Sequence, residues 1–279
     1  MNNLKTVVLL AALSGLLIAI GGALGGPRGM VMFLGIAVVM NFTSYWFSAD
    51  IVLRTAGAHE IHEQDDPGLF GLVADVAQRS GMPMPRVYTI DSAQPNAFAT
   101  GRNPEHAAVA VTSGIRAMLT ERELAGVLGH EMAHVKNRDI LTSSVVATIA
   151  SAISSMAWMA MWFGGGFGSR DDNRGGGGIG ALVTMILAPL AATLIQLGIS
   201  RSREYQADAD GARVVGDPEA LASALAKMQM GAARIPMQVP QATAHLFIVS
   251  PFSGRNMAGL FSTHPPTEER IARLRKMRI

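Results

Sequence analysis

His130-Glu131-Met132-Ala133-His134 is the stretch around which the rest of this chain can be read. On an α-helix the two histidines lie only ~40° apart around the axis, because four residues advance slightly more than one turn. Both imidazoles then reach one metal ion, Zn²⁺ being the usual choice, while Glu131 points off that line, placed to take a proton from an attacking water rather than to ligate. A shuffled chain of this composition would contain the pattern on the order of 0.006 times, so an accidental polar helix face is a poor competitor. Thr120 and Glu123 form a capping-box pair that predicts a helix from Glu121 to about Asn137, with the motif on it. The chain has no cysteine, so any metal centre must be built from His, Asp or Glu.

Upstream, Asp65-Asp66-Pro67 predicts a helix start. The apolar positions Leu69, Leu72, Val73 and Val76 carry that helix to about Ser80. Three short strands follow, over residues 86–90, 96–100 and 107–112, separated by turn clusters such as Gly101-Arg102-Asn103-Pro104. The strand beginning Asn96, Ala97, Phe98 reads either as ordinary sheet or as an edge that pairs with an extended peptide substrate.

Two histidines leave a catalytic metal site one protein ligand short. The best supplier is Arg201-Ser202-Arg203-Glu204-Tyr205-Gln206-Ala207-Asp208, in which Glu204 and Asp208 share a helix face. Two readings fit its spacing equally. In one, Glu204 ligates and Asp208 accepts a hydrogen bond from a ligand imidazole, His130 being the candidate; in the other, the segment is an exposed helix making Arg–Glu pairs. His59 and His62, at i and i+3 with Glu60 and Glu63, read most simply as a polar face beside the membrane, a second metal site being the alternative.

The composition says where this soluble chemistry is anchored. Hydrophobic residues make up 49% of 279 and charged residues only 16%, and mean hydropathy is +0.28, so part of the chain avoids water. The excess sits in four runs free of Asp, Glu, Lys, Arg and His: Thr6 to Gly26, Gly29 to Ser48, Leu141 to Phe163 and Ile179 to Ile199. The first pair, turning at Pro27-Arg28 and closing on Tyr45-Trp46-Phe47, predicts a transmembrane hairpin. A cleaved signal peptide is the rival reading of the first run. The later pair predicts a second hairpin, fully or partly inserted, around a Gly-rich polar loop at residues 164–178. Glycines 21 and 25, and 22 and 26, either have the spacing that lets helices approach closely or are small residues near a helix end with no partner.

Lys5, Arg54, Lys136, Arg138, Arg201, Arg203 and Arg213 fall on one side of this topology, and Arg28, Arg170 and Arg174 on the other. That bias puts both termini and both polar segments in the cytoplasm. The expected division is therefore 1–48 as an N-terminal hairpin, 49–140 and 201–279 as two halves of one catalytic domain, and 141–200 as a hydrophobic insertion between them. A net charge of +2 argues against nucleic acid as a partner. The absence of ionisable residues within the apolar runs argues against a transporter.

The motif His130 to His134 with Asn137-Arg138-Asp139, then Ser200 to Asp208 after a hydrophobic hairpin, resembles the HtpX family of bacterial membrane zinc metalloproteases, distant relatives of the CAAX prenyl endopeptidases. The likeness extends to Gln94-Pro95-Asn96-Ala97-Phe98-Ala99-Thr100-Gly101 and Thr263-His264-Pro265, and so spans nearly the whole chain. It implies a membrane α+β fold, two transmembrane hairpins carrying a mainly helical zincin-like domain with a small β-sheet. It also implies one Zn²⁺ held by His130, His134 and Glu204, with Glu131 as catalytic base.

The expected activity is endoproteolysis of misfolded or damaged membrane proteins at the cytoplasmic face of the bacterial inner membrane, with the lipid bilayer and polypeptide substrates as partners. His264 is either an oxyanion donor or an exposed residue beside the Pro265-Pro266 turn. A catalytically inactive metal-binding scaffold or sensor is the alternative, and Glu131, which such a protein has no chemical reason to keep, argues against it.

Overall fold

The computed structural model describes residues 2–146, 149, 201–234, 248 and 265–279. The greater part of the second apolar pair, the 164–178 loop and His264 lie outside the described residues, as does most of 231–261.

Helix α1 (Asn2–Trp46) is helical along its length but is two antiparallel arms. A straight helix would hold residues 14 and 41 ~40 Å apart. Instead Asn41 Nδ2 donates to Ser14 Oγ at 2.8 Å and to the Leu10 carbonyl at 3.4 Å. The reversal occurs at Gly26, whose φ of 56° is left-handed, and Pro27 then opens the second arm, where its missing N–H costs nothing.

Gly21 and Gly22 lie against that second arm. A Cβ on Gly21 would meet the Gly29 carbonyl at 2.5 Å, and one on Gly22 would meet Met30 at 3.1 Å. Gly26 serves the turn rather than the close packing its spacing suggested. Among the described residues, Gly26–Trp46 is the one helix long and apolar enough to cross a membrane. Val31, Val38, Val39 and Phe42 on it are exposed. Leu10–Ala19 is a shorter apolar stretch on the first arm. The two-hairpin expectation thus reduces, within the described residues, to one folded-back pair of helices and the opening helical turns, 139–146, of the later apolar run.

After α1 come α2 (Ser48–Thr55), β1 (Ala58–Ile61), α3 (Pro67–Ser80), β2 (Arg86–Ile90), β3 (Ala97–Gly101), β4 (Ala107–Thr112), α4 (Ser113–Met118) and α5 (Glu121–Lys136). The chain continues with α6 (Arg201–Val215), α7 (Pro218–Arg234) and α8 (Thr267–Arg275). Local chemistry sets the boundaries. Asp66 caps α3 by accepting from the Leu69 N–H at 3.0 Å, Gly81 ends it at φ 68°, and both arms of the Thr120/Glu123 capping box are formed at the start of α5.

The sheet is mixed, in the order β1-β2-β4-β3. β2 and β4 run parallel, and the outer pairs are antiparallel. β1 lies outside the three strands expected from the sequence: His59 and Glu60 are exposed on it, and Glu60 accepts from the Tyr88 hydroxyl at 2.9 Å.

Alternation along the strands gives the sheet two apolar faces. Tyr88, Ile90, Phe98, Ala108 and Ala110 pack against Val52 and Leu53 of α2. Val87, Ala97, Ala99, Val109 and Val111 face the main core, built with Val127, Leu128 and Met132 of α5 and with Ala212, Leu221, Leu225 and Leu274. α2 follows the hairpin directly, so the sheet hangs immediately beside the apolar helices. Arg102, past the end of β3, stacks 4.6 Å from the Trp46 ring at the hairpin's exit.

Candidate metal centre and active site

α5 and α6 meet where neither helix carries a side chain. A Cβ on Gly129 would come 2.8 Å from the Val215 side chain and 2.9 Å from the Gly211 carbonyl oxygen, and one on Gly211 would come 2.5 Å from the His130 main-chain nitrogen. This contact of bare backbones brings α6 close enough for Glu204 to face the histidines of α5. His130, His134 and Glu204 each present a donor atom within 4.8 Å of the others. The Nε2 atoms of His130 and His134 are 3.2 Å apart. Glu204 Oε2 is 3.7 Å from the first of these nitrogens and Oε1 is 3.4 Å from the second. The reading of Glu204 as part of an exposed Arg–Glu helix face fails on burial, since it is 6% exposed.

A shell of acids and arginines surrounds these donors. His130 Nδ1 lies 2.9 Å from Asp208 Oδ1. Asp208 is in turn gripped by both prongs of Arg270, Nε to Oδ2 at 2.9 Å and Nη2 to Oδ1 at 2.7 Å. Burial alone would raise the Asp208 carboxyl, but Arg270 and His130 outweigh it and hold it at about 2. On the other histidine, Asp139 Oδ2 lies 3.2 Å from His134 Nδ1, and Arg203 donates to Asp139 Oδ1 at 3.1 Å. Burial works to lower the His134 pKa, yet the negative charge of Glu204 and Asp139 lifts it to about 9. The same potential favours any cation.

The donor set fits a divalent ion on charge as well as on distance. Glu131, Asp139, Glu204 and Asp208 are four buried carboxylates, set against the two guanidinium groups of Arg203 and Arg270. With neutral histidines they leave an excess of two negative charges in a low-dielectric interior, which a dication neutralises.

Glu131 is 6% exposed, and burial raises its pKa. Its Oε2 accepts a 2.9 Å hydrogen bond from the Ala99 N–H on β3. β3 is the sheet's outer strand. Asn96 bonds β4 through Thr112, its N–H to Oγ1 and its carbonyl to the Thr112 N–H, both at 2.9 Å. The period of two then turns the main-chain groups of Phe98 toward β4 and those of Ala97 and Ala99 away from it. The Phe98 side chain lies on the α2 face of the sheet. The Asn96 side chain is taken up by the Ile248 N–H at 3.4 Å.

Arg270 gives no direct sign of its role in the sequence, where it is one of several cations in the run 267–279. It is 1% exposed, and besides Asp208 it donates to the Ile248 carbonyl at 2.9 Å. The available signal was its position one turn before Leu274, on the apolar face of an otherwise charged helix. Asp139 has no signal in the sequence beyond its place in Asn137-Arg138-Asp139.

The model of peptidase family M48 matches residues 63–278. A protease HtpX homolog of Syntrophobacter fumaroxidans is 55% identical over 99% of both chains. One of Burkholderia thailandensis is 54% identical over 99% of this chain and 97% of its own. The crystal structure of S. mikatae Ste24p superposes with a TM-score of 0.53 at 19% identity, covering 97% of this chain and 64% of that one, a likeness of fold. With a family match across both the histidine helix and the Glu204 helix, and relatives more than half identical from end to end, the chain belongs to peptidase family M48 and is a metalloprotease.

Proposed function

We propose that the chain is a membrane-bound zinc endopeptidase that cleaves misfolded or damaged membrane proteins at the cytoplasmic face of the inner membrane. The observation that carries the metal assignment is the cluster of donor atoms, the two histidine Nε2 atoms 3.2 Å apart with Glu204 Oε1 3.4 Å from that of His134 and Oε2 3.7 Å from that of His130. Ligands ~2.05 Å from a tetrahedral ion stand about 3.3–3.5 Å apart, a spacing that these separations approach. His130, His134 and Glu204 would hold the ion. When bound it supplies Lewis acidity toward the scissile carbonyl and toward water.

The remaining chemistry belongs to the protein. Glu131, with its affinity for a proton raised by burial, takes the proton of the attacking water and returns it to the leaving amine. Asp208 fixes the His130 tautomer and ring plane. The outward main-chain groups of Ala97, with Asn96 at the head of the strand, pair with an extended substrate; Phe98 supports the strand from behind. His264 is assigned to the developing oxyanion.

The bilayer enters through the hairpin. Its apolar surface is exposed, and Arg102 against Trp46 keeps the end of β3 beside its exit. Polypeptide emerging from the membrane is therefore the substrate class nearest the cleft. The division into 1–48, 49–140, 141–200 and 201–279 follows the same logic, an insertion in one catalytic body.

The test is metal analysis of full-length protein purified without added metal, together with a cleavage assay. Stoichiometric zinc, loss of cleavage with chelator and its return with zinc are expected. Glu131→Gln should keep the metal and lose cleavage. A Glu131→Gln enzyme cutting at the wild-type rate overturns the mechanism, and cut sites confined to regions far from a substrate's membrane segments overturn the substrate class.

A further inference from the structure

Asp139 follows His134 by only five residues, and a continuing helix would carry its side chain away from the imidazole. It turns back because α5 ends and Arg138 takes a left-handed φ of 58°, a conformation unusual for a residue with a Cβ. The result is a carboxylate, 4% exposed, with one oxygen 3.2 Å from His134 Nδ1 and the other receiving the Arg203 guanidinium at 3.1 Å.

Both members sit at meaningful places in the chain. Asp139 begins the helical turns 139–146 that lead into the later apolar run, and Arg203 is in the first turn of α6, one residue before Glu204. The same opening turns touch the sheet edge, where the Ser144 and Thr100 hydroxyls are 2.7 Å apart. The arrangement repeats the one on the other histidine, where Asp208 stands between His130 and Arg270.

We propose that Asp139 and Arg203 are positioning residues of the metal centre. Asp139 holds His134 with Nε2 toward the ion, and Arg203 grips Asp139 from beside Glu204. The chain's departure into the apolar insertion and its return from it are thereby locked to the spacing of two ligands. The physical basis is twofold. A carboxylate on Nδ1 selects the tautomer that leaves Nε2 free to ligate and raises its basicity. An arginine on that carboxylate orients it and offsets its buried charge. The proposal rests on the metal-centre reading above.

The experiment uses full-length protein in detergent micelles, with zinc affinity measured by competition against a chelator. The visible spectrum of the cobalt-loaded protein and the thermal midpoint of the metal-free protein are recorded alongside. Asp139→Asn, nearly isosteric, should weaken zinc binding about 10–100-fold and shift the cobalt spectrum. Arg203→Gln should weaken it less, and Arg203→Lys less still. The double variant should bind as Asp139→Asn does, because Arg203 acts through Asp139.

Zinc affinity within twofold of wild type in Asp139→Asn overturns the proposal. So does a double variant whose loss is the product of the single losses. A fall in the metal-free midpoint with unchanged affinity and spectrum makes the pair an ordinary structural bridge and also overturns it. His134→Ala keeps the two readings apart. If it binds zinc like the wild type, the metal-centre reading has failed. If it loses zinc while Asp139→Asn does not, only the positioning proposal has.

Discussion

The main-chain N–H of Ala99 donates a 2.9 Å hydrogen bond to Glu131 Oε2, which joins the outer strand of the sheet to the acid of the histidine helix. This single bond fixes the distance between the strand proposed to present substrate and the group proposed to move the proton. Ala99→Pro removes the donor, and an outer strand accepts proline where the N–H points away from its neighbour. A hydrogen bond to a charged group contributes about 1.5–3 kcal/mol. The variant is therefore expected to lose about 10–100-fold in kcat/KM with zinc content unchanged. Wild-type kinetics in a folded Ala99→Pro protein would show that the bond does not position Glu131.

Arg270 is a buried cation whose fork closes on Asp208. Removing one partner of such a pair strands the other charge at a cost of about 3–5 kcal/mol. Arg270→Ala should lower stability by that order and weaken metal retention through His130. Arg270→Lys keeps the charge, loses the two-pronged geometry and should recover only part of both. Thermal unfolding in micelles and zinc content after dialysis report the two effects, and an Arg270→Ala protein as stable as the wild type would contradict the assignment.

The crossing of α5 and α6 has no room for a methyl group. A Cβ at Gly211 would sit 2.5 Å from the His130 main-chain nitrogen and 2.6 Å from the Gly129 carbonyl carbon. Gly211→Ala must push the helices apart, an overpacking cost of about 1–3 kcal/mol, and the displacement carries Glu204 from the histidines. Reduced zinc affinity accompanying the lost stability is the expected signature. Glycine at 216 provides a control: with φ 75° but open space around it, Gly216→Ala should lose stability without losing metal.

Glu123 links the start of α5 to α7. Its carboxylate closes the capping box and accepts from Ser223 Oγ at 2.6 Å and Lys227 Nζ at 2.7 Å. Burial alone would raise its pKa, but these partners prevail and bring it from 4.5 to about 2. A depressed carboxyl stabilises the fold above its unfolded pKa, and that contribution disappears as pH falls from about 4.5 through about 2. Lys227 is 37% exposed, so solvent screening reduces the effect to about 2 kcal/mol. Between pH 5 and pH 2 the wild type should lose about that much more than Glu123→Gln in denaturant titrations. Equal slopes would mean that Glu123 is not ionised against Lys227.

Much of the site was legible because its chemistry is local. His130 and His134 are placed by helix periodicity alone, Thr120 with Glu123 announces the helix, and Asp66 and Gly81 bracket α3 by side-chain capping and a left-handed turn. Turn chemistry bounds the apolar runs of β2 and β4 and predicts them to the residue, while β3 runs one residue later than the expected 96–100. β1 escaped because Ala58-His59-Glu60-Ile61 has too few apolar residues to alternate, and it is a strand only by pairing with β2. Arg270 escaped because a charge on a helix of charges declares its burial only when the partner acid is in view.

The amino-acid sequence by itself determined that a metal would be held without thiolates, that two ligands lie one helical turn apart, and that an apolar hairpin precedes the chemistry. These follow from side-chain type and from periods of two and 3.6 residues, which need no knowledge of the rest of the molecule. Only the tertiary structure decided that Glu204 arrives at that helix, that Asp208 and Asp139 each take one histidine, and that Arg270 and Arg203 secure those acids. Each of those contacts joins residues distant in the chain, or, at Asp139, depends on a left-handed turn at a non-glycine residue. The backbone approach of Gly129 to Gly211 brings the two helices together, and the four carboxylates buried there have their charge offset by those partners.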